Sequence, residues 1–332
     1  ESDTVQKVTV VMTTYNLEKY VEQAVQSVLA QKTNFEYKLL IADDCSTDAT
    51  LEILRKLQKE YPAKIEILTA EQNMGSLKNS NRAFAGVKSQ YFAFLDGDDY
   101  WIGEQRLQAQ VDFLEEHPDY AMCGGNTLLL KDDTTDKLLD ETKTNRSYSF
   151  SDYLNGSTPF VHTSSIVLRN CIFINGLPDV YRKAEDTFEN CAVRGEDFRF
   201  VTHLEQGKIM VFPETLSCYR IHSGGIWQGT SENKRRIENA IARNFFDKYW
   251  NRLDYSYFHD QCIATYRNLM RHLMEENIYN EYHLTQGETY LLTEYLKDIA
   301  HRKMTWTECD TRYVKEEKKS TLLQKIFKRL LG

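Results

Sequence analysis

Tyr91-Phe92-Ala93-Phe94-Leu95-Asp96-Gly97-Asp98-Asp99 is the stretch that decides the fold. Its apolar, aromatic-rich opening has the length of a strand covered on both faces. Asp96, Asp98 and Asp99 follow at once. Carboxylates packed so closely repel one another unless a cation or solvent intervenes. Hard oxygen donors suit Mg2+ or Mn2+, ions that keep waters and take further ligands from substrate phosphates. A solvated turn that caps the next helix is the other reading of the same residues.

Working upstream, the pattern recurs. Lys7 to Met12 reads as a strand leaving into Thr13-Thr14-Tyr15-Asn16, followed by an amphipathic helix with Tyr20, Val21, Ala24, Val25, Val28 and Leu29 on one face. Tyr37 to Ala42 reads as a second strand that exits into Asp43-Asp44-Cys45-Ser46-Thr47-Asp48, before a helix carrying Leu51, Ile53, Leu54 and Leu57. A strand at Ile65 to Leu68 and a helix from Leu77 to Val87 complete the alternation, which predicts a parallel sheet flanked by helices. Ligands of such sheets sit beyond the strand C-termini, so three polar clusters are expected on one rim. Asp43 and Asp44 suit either acceptance of a pyrimidine imide N–H or a cap and turn role; Asp48 is the better N-cap, which leaves Asp44 for a ligand.

Downstream, Lys131 to Ser149 is polar and reads as a surface excursion. Val161 to Leu168 and Ile209 to Phe212 read as strands, and Glu196 to Gln206 as a helix stopped by Gly207. Glu196 and Asp197 open that helix, where a carboxylate could act as general base or simply complement the helix N-terminus; Glu185-Asp186 is a competing pair. Arg220 and His222 lie two apart, on one side of an extended chain, where they could hold a diphosphate and complete a metal shell. From Asn233 the pattern is mainly helical. The expected division is a catalytic unit over 1–230, with a nucleotide part to about 130 and an acceptor part beyond it, then a helical extension over 231–332.

The chain has 332 residues and a formal net charge of −8, which argues against a nucleic-acid binder. Its seven cysteines are scattered, with no C-x-x-C pair, and no apolar run suits a leader or a membrane span; a reducing cytoplasm is the expectation. No G-x-G-x-x-G follows the first strand, which disfavours a dinucleotide dehydrogenase, and the absence of Gly or Lys from Thr13 to Asn16 disfavours a sugar nucleotidyltransferase. Residues 315–332 carry five Lys and one Arg against two Glu, with Leu322, Leu323, Ile326, Phe327, Leu330 and Leu331 at helical spacing. This basic amphipathic tail suits peripheral attachment to the inner face of an anionic membrane, or docking on its own domain or a second subunit of a homo-oligomer.

Taken together, VTVVMTTYN, LLIADDCSTDAT, YFAFLDGDDYW, GEDFRFVTHLEQGK and YRIHSGG, spread over Lys7 to Gly225, resemble the family-2 inverting glycosyltransferases. The resemblance implies a GT-A fold, a Rossmann-like, mainly parallel sheet flanked by helices, here with a C-terminal helical extension. It implies a nucleotide-sugar donor, UDP the leading choice, and a glycan, lipid-linked saccharide or glycoprotein acceptor. By that resemblance Thr13, Tyr15 and Asp44 line the nucleotide pocket with Arg82 beside them, and Asp96 faces ribose or metal-bound water. Asp98 ligates Mn2+ or Mg2+ with His222 completing the site, and Asp197 is the base that activates the acceptor hydroxyl. The Q-x-x-R-W signature of processive synthases is absent, so transfer of one sugar per encounter is expected, and Trp227 is placed to stack on a sugar or pack the core.

Overall fold

The computed structural model describes residues 6–139, 143–225, 229–250, 256–279 and 284–301. Trp227 and the basic tail, 315–332, lie outside the described residues. The chain opens with β1 (Val8–Thr14), α1 (Val21–Leu29), β2 (Tyr37–Asp43), α2 (Thr50–Glu60), β3 (Ile65–Leu68), α3 (Ser76–Phe84) and β4 (Tyr91–Asp96). These strands are parallel and ordered β3-β2-β1-β4, as continuous apolar runs joined by helical crossovers demand. Val21, Ala24, Val25 and Val28 of α1 and Leu54 and Leu57 of α2 pack with Val10, Met12, Leu39, Ile41, Ala93 and Leu95 into one core.

Beyond β4 come β5 (Tyr100–Trp101), α4 (Arg106–Glu116), β6 (Tyr120–Lys131), β7 (Thr134–Lys137), β8 (Arg146–Tyr148), α5 (Phe150–Leu154), a 3-10 turn (Thr163–Ser165) and β9 (Val167–Arg169). Then follow α6 (Asp179–Ala184), α7 (Asn190–Arg194), α8 (Glu196–Leu204) and β10 (Lys208–Ile221). The sheet continues β4-β9-β6-β10-β5, with β9 antiparallel to both neighbours and β6 parallel to β10. The result is a mixed α/β, Rossmann-like sheet flanked by helices rather than an all-parallel one. The polar stretch from Lys131 to Ser149 is not all excursion: β7 pairs with β6 and β8 with β10. Nor is Val161 to Leu168 one strand, because the 3-10 turn occupies its middle.

That turn has a physical cause. Ser165 Oγ donates to His162 O (2.9 Å), and the turn aims the carbonyls of Ser164 and Ser165 at the buried guanidinium of Arg106. Arg106 donates Nη1 to Ser164 O and Leu216 O (both 2.9 Å), Nη2 to Ser165 O (3.1 Å) and Nε to Gln110 Oε1 (3.0 Å), and its Cζ lies 4.1 Å from the Trp101 ring centroid. Burial lowers its pKa to about 9. One cation thereby joins α4, β5, the 3-10 turn and β10.

Two compact units divide the chain: residues up to Glu185 with Glu196–Gly225, and Asp186–Gly195 with the residues from 226 onward. The second contains α7, α9 (Glu232–Trp250), α10 (Ser256–Tyr279) and α11 (Gln286–His301). Ile237, Ile241, Tyr266, Leu269, Leu292, Tyr295 and Leu296 form its core. Lys248 pairs with Glu189 and, at 2.7 Å, with Asp298, while Arg194 pairs with Glu238 at 2.7 Å. Among the described residues, no helix is long and apolar enough to cross a membrane.

Removing the Arg106 guanidinium takes one hydrogen bond from each of three buried carbonyls, which keep Trp101 Nε1, Gln110 Nε2 and Ile102 N as donors, and each lost bond is worth roughly 0.5–1.5 kcal/mol. Arg106→Met is expected to lower the urea midpoint of the sheet unit clearly, with the slope unchanged. An unaltered midpoint would show the clamp to be dispensable.

Candidate functional site

The parallel registers bring Thr13 beside Asp96 and Thr14 beside Asp43, so the exits of three strands share one rim. Thr13 Oγ1 donates to Asp96 Oδ1 and Thr14 Oγ1 to Asp43 Oδ1, both at 2.8 Å. Asp43 also accepts from Ser46 N (3.0 Å) and Ser46 Oγ (2.6 Å), which folds the turn after β2 back on itself. The loop after β1 is stitched to that turn: Asn16 N donates to Ser46 Oγ (3.0 Å), Thr47 N to Asn16 Oδ1 (2.8 Å) and Leu17 N to Thr50 Oγ1 (2.7 Å). Asp48 accepts from Thr50 N at 2.9 Å and Glu18 N at 3.1 Å, so it does serve the helix start, although Ala49 holds the cap position. Gly97 is required by proximity, since a Cβ there would lie 2.7 Å from Thr14 Cγ2.

Tyr15 stands on this rim with its side chain exposed. Asp44 is buried, and it is not left unengaged by Asp48 as the sequence suggests: its oxygens accept from Met74 N (2.8 Å) and Gly75 N (2.9 Å). Arg82 is engaged by backbone carbonyls and by Asn79. Its guanidinium donates to Thr69 O (2.5 Å), Asp43 O (2.6 Å) and Asn79 Oδ1 (2.6 Å), tying the ends of β2 and β3 together.

At the centre of the rim, Asp98 Oδ2 lies 3.0 Å from His222 Nε2. Arg220, two residues earlier, sends its backbone N–H to Asp99 Oδ1 (3.0 Å) and its guanidinium to Gln23 and over the rings of Tyr100 and Tyr20, at 4.8 and 5.2 Å. The His222 ring packs on Tyr20 with centroids 4.7 Å apart. His222 thus meets the acidic cluster through its ring and Arg220 through its backbone N–H, while both side chains lie against Tyr20. Burial, reinforced by Asp98, pushes the Asp96 carboxyl up to about 7 against the pull of Thr13 and Arg199. Asp99 is held well above the usual carboxylate range by burial and by Asp98 and Asp96, and among the described residues its Oδ2 has no hydrogen-bond partner.

No three His, Cys, Asp or Glu side chains among the described residues group to hold a metal. Asp98 and His222 supply one carboxylate and one imidazole, which fits an ion whose remaining ligands are phosphate and water rather than a cage made by protein alone.

The second half of the sheet unit brings α8 to the site. Glu196 Oε2 accepts from Thr163 N at 2.7 Å, and Asp197 is exposed beside it. The competing Glu185 is engaged elsewhere, accepting from Asn81 Nδ2 at 2.8 Å. Arg199 is buried, donates to Thr163 Oγ1 at 2.9 Å, and lies 4.8 and 5.2 Å from the ring centroids of Phe94 and Phe84. Sequence reading passed over Arg199, Thr163 and His162. The available signal was an Arg on the buried face of a helix with Phe198, Val201 and Thr202. His162, held neutral by burial with its pKa down to about 4, lies 2.6 Å from Ser164 Oγ and packs on Tyr219, centroids 4.7 Å apart. Phe160, half exposed, stands beside it.

Burial raises the Glu196 carboxyl to about 8, with Asp197 and Asp96 adding to it and the Thr163 N–H and Arg199 opposing it. A folded-state pKa above the unfolded one means the folded chain holds that proton more tightly. The resulting stability is full at low pH and is lost as pH rises through about 8. Glu196→Gln escapes that loss, so its melting temperature should gain on the parent between about pH 4.5 and 8 and the gap then level off at several degrees, at about 2–4 °C per kcal/mol. A gap independent of pH would contradict the assignment.

The sequence profile described as "Glycosyl transferase family 2" matches residues 9–174, half of the chain. An uncharacterized protein of Mycobacterium tuberculosis is 28% identical over 229 residues, which cover 69% of this chain and 62% of the relative; the chain thus spans less than two thirds of that protein. The putative teichuronic acid biosynthesis glycosyltransferase TuaG of Bacillus subtilis is 35% identical over 127 residues, 38% of this chain and 49% of TuaG. Among solved structures, S. aureus TarS 1-349 in complex with UDP-GlcNAc aligns with a TM-score of 0.52 at 17% identity, over 92% of this chain and 76% of that one. At that identity the likeness speaks for the fold alone, and the fold is GT-A. With the profile covering β1 to β9 and the strand-end acids in register, the chain belongs to glycosyl transferase family 2.

Proposed function

We propose that this family-2 glycosyltransferase moves a single sugar from a nucleotide diphosphate donor, UDP-linked, to a hydroxyl of a glycan, lipid-linked saccharide or glycoprotein, with inversion at the anomeric carbon. The observation that carries the proposal is the shared rim: Thr13 hydrogen-bonded to Asp96 and Asp98 to His222, with Asp197 exposed at the head of α8. The TarS neighbour was crystallised with UDP-GlcNAc, and TuaG is a putative glycosyltransferase of teichuronic acid biosynthesis; both favour a UDP-sugar and a glycan acceptor here.

In this reading Tyr15 and Thr13 flank the nucleotide. Asp44 still has lone pairs for a base N–H after accepting two backbone amides, since a carboxylate offers about four acceptor sites. Arg82 acts from behind, fixing the carbonyl of Asp43 and with it the turn that bears Asp44. Asp96 faces the ribose. Asp98 and His222 would hold Mn2+ or Mg2+, which would supply positive charge for the diphosphate. Asp197, exposed where its neighbour Glu196 is anchored, accepts the proton of the acceptor hydroxyl as that oxygen attacks in line. The nucleotide leaves from the opposite side, and no covalent enzyme intermediate forms. The boundary near residue 230, cytoplasmic location and membrane attachment through 315–332 belong to the same proposal.

General-base removal typically costs 10²–10⁴-fold. Asp197→Asn should therefore lower transfer from UDP-sugars by roughly that factor while UDP binding persists, and chelation should abolish transfer until Mn2+ is returned. Activity within about tenfold of the parent in Asp197→Asn, or insensitivity to chelation, contradicts the mechanism.

A further inference from the structure

We propose that Arg199 is a positioning residue that fixes the base-bearing end of α8 against the exit of β4, so that the acceptor side of the site is registered on the donor side. The proposal rests on the reading of Asp197 as the base. Arg199 stands three residues after Glu196, on the same face of α8, and a long helical side chain leans back toward the helix N-terminus. Its guanidinium lies 4.8 Å from the ring of Phe94, which precedes Asp96 by two residues and so shares its face of β4. From the other side Arg199 Nη2 donates to Thr163 Oγ1 (2.9 Å), and the backbone N–H of the same Thr163 donates to Glu196 Oε2 (2.7 Å). Arg199, Thr163 and Glu196 therefore close a ring beside Asp197.

The charge balance points the same way. A buried cation surrounded by Phe84, Phe94 and one hydroxyl is costly unless anions face it. The groups that face it are the phenol of Tyr181 on α6, Glu196 on α8 and Asp96 on β4, and its charge opposes the rise that burial imposes on both carboxyls, while His203, on its own helix, is kept neutral by burial with its pKa near 3. Arg199 is thus shared between one carboxylate at the donor rim and one beside the base. Among the described residues its side chain makes no hydrogen bond to Thr13, Tyr15, Asp98 or His222, so it can direct the base without holding the donor.

The effect of its loss should fall on the chemical step. Misplacing a reacting group by about 1 Å can cost 10²-fold, so Arg199→Met should lower kcat by about that factor with UDP affinity in Mn2+ and donor KM nearly unchanged. Arg199→Lys, which keeps the charge but not the fork, should recover part of the loss. Thr163→Val keeps the backbone bond to Glu196 and removes only the hydroxyl, so it should lower kcat by a smaller factor; it carries the test if Arg199→Met does not fold. Unchanged kcat in the folded variants, or parallel losses of kcat and UDP affinity, overturns the proposal. Asp197→Asn measured alongside separates the two claims: an active Asp197→Asn removes the base assignment, whereas an inactive one with unaffected Arg199 and Thr163 variants removes only the role of Arg199.

Discussion

Everything at the rim depends on keeping several carboxylates close together without letting them repel the strands apart. Asp43 accepts from Thr14 and Ser46, Asp44 from two backbone amides, Asp96 from Thr13, Asp99 from the backbone of Arg220, and Asp98 faces His222. Each acid has its own neutral or basic partner supplied by a different element. Where burial outweighs that help, at Asp96, Asp99 and Glu196, the carboxyl holds its proton more tightly instead. A site poised in this way has a strong appetite for positive charge, which is the property a diphosphate-binding metal centre needs.

The same crowding explains the choice of small and hydroxylated residues around the acids. Thr13 and Thr14 point to opposite faces of β1, and each reaches the carboxylate that ends the strand beside it. Gly97 then lets the chain turn against Thr14 and the carbonyl of Thr13, where a methyl group would collide. A larger residue at Gly97 would push the Asp98 turn off β1 and separate Asp98 from the strand beside it.

How much of this was legible follows from where the signals reside. Strands β1 to β4 were readable because each is a continuous apolar run ending in polar residues, and the helices between them carry their apolar residues at helical spacing. The strand-end acids were readable for the same reason. β6 was not: Gly124 and Gly125 interrupt its apolar pattern, and Gly125 is there because β10 approaches so closely that a Cβ would lie 2.6 Å from Glu214 O. The irregular register of β10 around Thr215 conceals a strand of 14 residues behind a short apolar segment. Arg82 shows another limit, since sequence gives the position of a long side chain but not the direction in which it turns. Arg199 was hidden because its partners, Thr163 and Phe94, are distant in sequence and adjacent only after the sheet has closed.

The part of the sheet unit beyond β4 is less regular than the part before it, yet its placement is equally determined, by a relay of polar contacts that starts deep in the sheet unit. Arg106 gathers the carbonyls of Ser164, Ser165 and Leu216, and so dictates that residues 163–165 form a turn instead of continuing a strand. The turn presents Thr163 with its N–H toward Glu196 and its hydroxyl toward Arg199. Glu196 and Arg199, three apart on α8, then set both the rotation and the advance of that helix, and with them the side chain of Asp197 at its head. Two buried arginines thus have different tasks in one relay. Arg106 shapes the backbone that carries Thr163, and Arg199 joins α8 to that turn and to the aromatic face of β4.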